Sequence, residues 1–112
     1  MGVDLARKKV LITGANRGIG FGLAEGFLKA GAMVTIVALE EDVIEIAGQL
    51  SETYKRQVQG IICDIAELAQ VEHMAGKVDK VDVLVNNAGF EYITPITDPS
   101  KSTDEVFRRI IE

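Results

Sequence analysis

The residues best suited to chemistry in this chain lie together in Thr13-Gly14-Ala15-Asn16-Arg17-Gly18-Ile19-Gly20, directly after the apolar run Lys9–Thr13. A strand that turns through glycines into a helix gathers backbone N–H groups and the positive end of a helix dipole at one point, which suits a phosphate. The three glycines have separable tasks. Gly14 lets the chain leave the strand sharply, Gly18 leaves room for a diphosphate to approach the backbone, and Gly20 allows the helix to pack closely on a sheet. The spacing Gly-x-x-x-Gly-x-Gly differs from Gly-x-Gly-x-x-Gly, and no Gly-Lys-Ser/Thr follows to make a P-loop.

Other candidate groups are dispersed. Asn86-Asn87-Ala88-Gly89 ends a second apolar run, Val81–Val85, and Asp64 ends a third, Gly60–Cys63. The single histidine, His73, stands beside Met74 at helical spacing and reads as a boundary residue rather than a base. One cysteine excludes an internal disulfide and argues against a metal cluster, and Cys63 reads as a buried filler within a strand. A formal net charge of −5, with basic residues scattered apart from Arg7-Lys8-Lys9, argues against nucleic acid or an anionic membrane as partner. The N-terminus has neither a signal-peptide pattern nor an apolar run long enough to span a bilayer, so a cytoplasmic location is expected.

The elements that must position these residues follow from period and punctuation. Lys9–Thr13, Met33–Val37, Gln59–Cys63 and Val81–Val85 read as strands covered on both faces. Between them, Ile19, Leu23, Phe27 and Leu28 recur at helical spacing up to a terminating Gly31. Val43, Ile44, Ala47 and Leu50 form a second apolar face behind acidic Glu40-Glu41-Asp42, and Leu68, Val71 and Met74 a third between about Ala66 and Ala75. After a loop with Pro95 and Pro99, Ser102 and Glu105 have capping-box spacing before Val106, Ile110 and Ile111. Four strands alternating with helices imply one α/β domain over residues 1–112, with a parallel sheet and right-handed crossovers.

The glycine turn taken with Asn86-Asn87-Ala88-Gly89 resembles the short-chain dehydrogenase/reductase family of classical type, over nearly the whole chain. The resemblance implies a Rossmann-like, doubly wound α/β fold with strand order 3-2-1-4, truncated after about four strands. It implies an NAD(P)-dependent oxidoreductase that moves a hydride between nicotinamide and a secondary alcohol or ketone. Carried over residue by residue, Gly14, Gly18 and Gly20 form the cofactor turn, with Asn16, Arg17 and Ile19 near the diphosphate and adjoining ribose. Asp64 would bond the adenine amino group, or cap the next helix, and Ile65 would pack on the ring. Asn87, Ala88 and Gly89 would line the ribose region, while Asn86 braces the sheet. Ala38, followed by Leu39, falls where an acidic residue would pair with the ribose hydroxyls of NAD. With neither acid nor base at Ala38, NAD and NADP both remain open; Arg17 favours a 2′-phosphate and Glu40 opposes it.

The family's proton-transfer residues are absent from these 112 residues. Tyr54 is followed by Lys55, but the required spacing is Tyr-x-x-x-Lys and position 58 is Val58; Tyr92 is followed three residues on by Pro95. Glu105–Glu112 resembles the helix that leads into the family's first catalytic residue, an Asn. The chain therefore reads as the C-terminally incomplete cofactor-binding half of such an enzyme, inactive by itself and weakened by a freed apolar edge at Val81–Val85. The complete enzyme would act on a small-molecule alcohol or ketone and form a dimer or tetramer. The other reading is a stand-alone dinucleotide-binding or regulatory module without catalysis.

Overall fold

The computed structural model describes residues 5–78 and 80–87. Its elements run β1 (Lys9–Thr13), α1 (Gly18–Lys29), β2 (Met33–Ala38), α2 (Asp42–Tyr54), β3 (Val58–Ile62), α3 (Leu68–Ala75) and β4 (Val83–Asn86). All strand pairs are parallel, in the order β3-β2-β1-β4. This is the doubly wound order expected from the resemblance. The predicted helix beginning near Ser102 lies outside the described residues.

Alternating side chains of β1 explain its central place. Val10 and Ile12 face one apolar layer with Val34, Ile36, Ala24, Leu28, Val43 and Ala47. Leu11 faces the other, with Val37, Ile61, Val71 and Met74. Helices α1 and α2 therefore cover one face and α3 the other, so a strand of continuous apolar residues is satisfied on both sides. The register Thr13↔Val37 and Thr13↔Asn86 brings the carboxyl ends of β1, β2 and β4 level. Their following loops consequently share one end of the sheet.

The helices differ from the expected apolar stripes. Along α1 the buried residues are Gly20, Ala24 and Leu28, whereas Ile19 is 78% exposed and Leu23 37%. Small residues at four-residue spacing let the helix backbone lie close to the sheet, which displaces the larger side chains outward. On α2, Ile44 is 52% exposed for a related reason. An added methyl at Gly60 of β3 would lie 2.6 Å from the Val43 carbonyl oxygen and 2.9 Å from Ala47 Cβ, so helix and strand already touch by backbone. Leu68 on α3 is also partly exposed, leaving Val71 and Met74 as its inward residues.

Boundaries shift by one or two residues. β3 starts at Val58 and ends before Cys63, which is nevertheless buried and donates its N–H to the Ala38 carbonyl at 2.9 Å. β4 starts at Val83 because Asp82 is occupied in closing onto Lys9, through Lys9 N–H to Asp82 Oδ2 at 2.8 Å and Asp82 N–H to the Lys9 carbonyl at 2.7 Å. No helix among the described residues is long and apolar enough to cross a membrane.

Because no slack separates α2 from β3, Gly60→Ala is expected to lower stability by about 1–3 kcal/mol, the usual range for overpacking. Urea denaturation followed by circular dichroism measures it; an unchanged midpoint would show that α2 can move away freely.

Candidate functional site

Parallel pairing sets the site at the carboxyl end of the sheet, where an open α/β sheet reverses its strand order. β1 leads into Gly14, whose N–H donates to the Val37 carbonyl at 2.7 Å, keeping the turn attached to the end of β2. Gly14 at φ +66° and Gly18 at φ +62° both occupy the left-handed region, where a side chain is costly. Gly20 has a different task. A methyl there would stand 2.3 Å from the Gly14 carbonyl oxygen, 2.7 Å from Asn87 Nδ2 and 2.9 Å from Ala15 Cα. The turn at Gly14 and the close packing at Gly20 are as read from the sequence, and Gly18 adds a left-handed conformation that the sequence reading did not name.

The start of α1 has the character of an anion site. Arg17, the residue before the helix, makes no capping hydrogen bond with its side chain, and the first turn contains no acidic residue. The first N–H groups of the helix are not taken by a side-chain cap, and the positive end of the dipole has no carboxylate in its own first turn. A methyl built at Gly18 meets nothing within 4 Å, so open space lies in front of this backbone.

Asn86, which ends β4, and Asn87, which follows it, both act as braces. Thr13 Oγ1 donates to Asn86 Oδ1 at 3.1 Å, linking the ends of β1 and β4. Asn87 Nδ2 donates to the Gly14 carbonyl at 3.2 Å, fixing the turn itself. Asn86 was expected to stabilise the sheet; the commitment of Asn87 to the turn was not foreseen. Ala88 and Gly89 lie outside the described residues.

Across the crevice, Asp64 follows β3. Its Oδ1 accepts the Ala66 N–H at 3.0 Å, and its own N–H donates to Gln70 Oε1 at 2.8 Å. It therefore closes the turn before α3 rather than capping that helix, which starts behind Glu67 with no side-chain cap. Ile65 beside it is half-buried and packs against the α3-side core. Ala38 is buried, whereas Leu39 is 57% exposed beyond the strand end.

The feature least visible in the sequence joins two loops. Asn16 is only 6% exposed, and its Nδ2 donates to Glu40 Oε1 and to Asp42 Oδ1, each at 2.9 Å. Arg17 Nη2 lies 3.8 Å from Glu40 Oε1 and 3.7 Å from Asp42 Oδ2. The sequence suggested that Glu40 faces the ribose region but assigned Asp42 only to starting a helix. The signal was present as an Asn-Arg pair in one loop and an acidic cluster in the next, yet their register depends on the strand pairing.

Among the described residues, Tyr54 and Cys63 are each shifted away from ionising near neutral pH. The Tyr54 hydroxyl donates to Glu25 Oε2 at 2.6 Å, and that bond raises the phenol above its ordinary pKa, away from what proton transfer near neutral pH requires. Burial pushes the Cys63 thiol up, and the neighbouring Asp64 charge adds to this, so the thiol stays protonated and unreactive. His73 is exposed on α3. Among the described residues no group of three or more His, Cys, Asp or Glu side chains is placed to hold a metal ion.

Comparison with known proteins agrees with this geometry. The short chain dehydrogenase family matches residues 8–112, and the chain belongs to that family. It is 38% identical over 90 residues to the 3-oxoacyl-(acyl-carrier-protein) reductase FabG of Chlamydia trachomatis, covering 76% of this chain and 36% of that protein. It is 34% identical over 117 aligned positions to the 5-keto-D-gluconate 5-reductase of Escherichia coli, covering 92% of this chain and 42% of the relative. Among solved structures, L-sorbose reductase from Gluconobacter frateurii, complexed with NADPH and L-sorbose, superposes with a TM-score of 0.75 at 36% identity, over 80% of this chain and 36% of that one. The chain thus spans well under half the length of these relatives.

Since Asn87 holds the Gly14 carbonyl, Asn87→Ala is expected to cost about 1 kcal/mol, the usual net value of one hydrogen bond. Hydrogen exchange should accelerate at residues 14–20 more than in β2 or α2; uniform acceleration would contradict a local bracing role.

Proposed function

We propose that this chain is the dinucleotide-binding part of an NAD(P)-dependent oxidoreductase that interconverts a secondary alcohol and a ketone. The observation that carries the reading is the α1 N-terminus, which has no side-chain cap and faces open space at Gly18. Bound there, the cofactor would supply the hydride acceptor or donor through its nicotinamide. The chain's own residues bind and orient: the backbone of residues 14–20 receives the diphosphate, Asn16 and Arg17 approach the adjoining ribose, and Ile19 and Leu39 offer apolar surface beside it. Asp64 and Ile65 are assigned to the adenine end, and Asn87, Ala88 and Gly89 to the second ribose. The NADPH complex of L-sorbose reductase supports a phosphate-bearing dinucleotide of this general kind as ligand.

Turnover is not expected of these 112 residues by themselves. Neither of the two tyrosines has a lysine at Tyr-x-x-x-Lys spacing, and the environment of Tyr54 opposes ionisation. The same observation favours a second reading, a dinucleotide-binding module without chemistry. The two diverge on sequence: a Ser and a Tyr-x-x-x-Lys on the same polypeptide beyond residue 112 would favour the enzyme, and a native stop there the module. As part of a complete enzyme, the domain would work in a dimer or tetramer on a small-molecule substrate, in the cytoplasm.

Calorimetric titration of the chain with NADH and NADPH tests the binding. At least one should bind, and Gly18→Ala should weaken it by roughly tenfold or more, because the methyl enters the diphosphate's space. The same change should cost only about 1–2 kcal/mol of stability for a left-handed alanine. Binding undiminished in a folded Gly18→Ala chain would overturn this placement of the diphosphate, and measurable alcohol oxidation by the chain would overturn the expected inactivity.

A further inference from the structure

Parallel pairing puts the strand starts and the helix ends of this chain at one end of the sheet, opposite the glycine turn. The basic residues, dispersed in the sequence, collect there. Arg7, Lys8 and Lys9 lead into β1, Lys29 closes α1, Lys55 and Arg56 join α2 to β3, and Lys77 and Lys80 lie between α3 and β4. Of the Lys and Arg side chains among the described residues, only Arg17 lies at the other end. Acids follow the opposite trend. Glu40, Glu41, Asp42, Asp64 and Glu67 stand near the carboxyl end, whereas Asp82 is the one carboxylate among the described residues of the connections entering the strands. Helix dipoles account for part of this pattern, since each helix C-terminus here is equivalent to about half a negative charge. Exposed Glu52 and Glu72, in the last turns of α2 and α3, add two more negative groups. The cations outweigh these together, and this end of the sheet keeps a positive surplus.

A cavity of about 360 Å³ opens in the same surface, a size within the roughly 300–1,000 Å³ of small-molecule pockets. It exists because α3 is short. The helix ends at Ala75, so Val71 and Met74 cover Leu11, Val37 and Ile61 but not the first residues of the strands. Two residues back along each strand, on the same face, stand Lys9, Thr35 and Gln59. The face that is apolar beneath the helix turns polar beyond its end. These three residues line the cavity with Gln57, Lys77 and buried Val81, and no Asp or Glu is among the described residues that line it.

We propose that this cavity binds a small hydroxylated phosphate monoester, at a site separate from the one assigned to the dinucleotide. A phosphate monoester carries about −1.5 to −2 charges near neutral pH and can use both ammonium groups, where a single carboxylate would use one. Lysine suits it as a compact point charge. Lys9 has bonding of its own, its N–H on Asp82 Oδ2 included, so exposed Lys77 is the more available of the two. Gln57, Gln59 and Thr35 offer groups that both donate and accept, which matches the hydroxyls of the ligand. Those hydrogen bonds replace bonds to water and yield little net gain, so charge is what favours entry. The surrounding cations raise the local concentration of an anion at the opening.

Amide NMR spectra of the chain titrated with glucose 6-phosphate, with glucose as the neutral control, test the proposal. Glucose 6-phosphate should move the resonances of residues 9, 33–35, 57–59 and 76–78, and glucose should not. Lys9→Gln/Lys77→Gln should weaken binding by roughly tenfold or more, as should 1 M salt, which shortens the screening length to about 3 Å. Lys77→Gln alone should weaken it less, and it serves should the double variant fail to fold. Saturation with NADH should leave these shifts in place, because the dinucleotide is assigned to the opposite end; whether NADH binds at all bears only on the proposed function. Absent shifts, shifts confined to residues 14–20, an equal response to glucose, displacement by NADH or an affinity unchanged in the variants each overturns the proposal.

Discussion

A helix and a turn lie so near each other at Gly20 that a methyl group there would stand 2.3 Å from the Gly14 carbonyl oxygen, and the arrangement of the site follows from that approach. The contact fixes where α1 begins relative to the end of β1, and so where its free N–H groups point. It also fixes how deep α1 sits. With Gly20, Ala24 and Leu28 as the inward row, the helix lies on the sheet by its backbone, and Ile19 is turned outward. The Gly14 carbonyl, crowded on one side by Gly20, receives the Asn87 amide on another. One close approach thereby ties together the first strand, the first helix and the residue that follows the fourth strand.

The sheet makes the same demand elsewhere. At Gly60 the strand meets α2 through backbone and Ala47, with no side chain of its own between. Two helices on the same face are therefore seated by glycines, one on the helix and one on the strand. Side chains larger than alanine at these contacts would lift the helices and separate the loops that form the crevice. Core packing and site geometry are in this sense the same constraint.

Much of this was legible in the sequence, for definite reasons. β1 to β4 were readable because strands buried on both faces are written as short apolar runs, and the glycine turn because left-handed conformations and close approaches leave few alternatives. The inward faces of the helices were less legible. Periodicity marked Ile19, Leu23 and Ile44 as core, but it weighs large side chains and is blind to packing through Gly20, Ala24 and Gly60. The pairing of Asn16 with Glu40 and Asp42 was not legible at all, since it depends on the register Thr13↔Val37. The bond from Asn87 to the Gly14 carbonyl was not legible either. The spacing of Asn86-Asn87 places the residues without saying which way their amides turn.

The bond from Asn87 to the Gly14 carbonyl spans 73 residues of chain, as does that from Thr13 to Asn86. The glycine turn looks like a local object, a handful of adjacent residues, but its final support arrives from far along the polypeptide. Bringing such distant segments together carries a loop-closure cost that β1, α1 and β2 do not meet among themselves. During synthesis, the first strand, helix and second strand can associate while β4 is still unmade. The cradle is then outlined early and locked late, acquiring its last brace only when β4 docks beside β1.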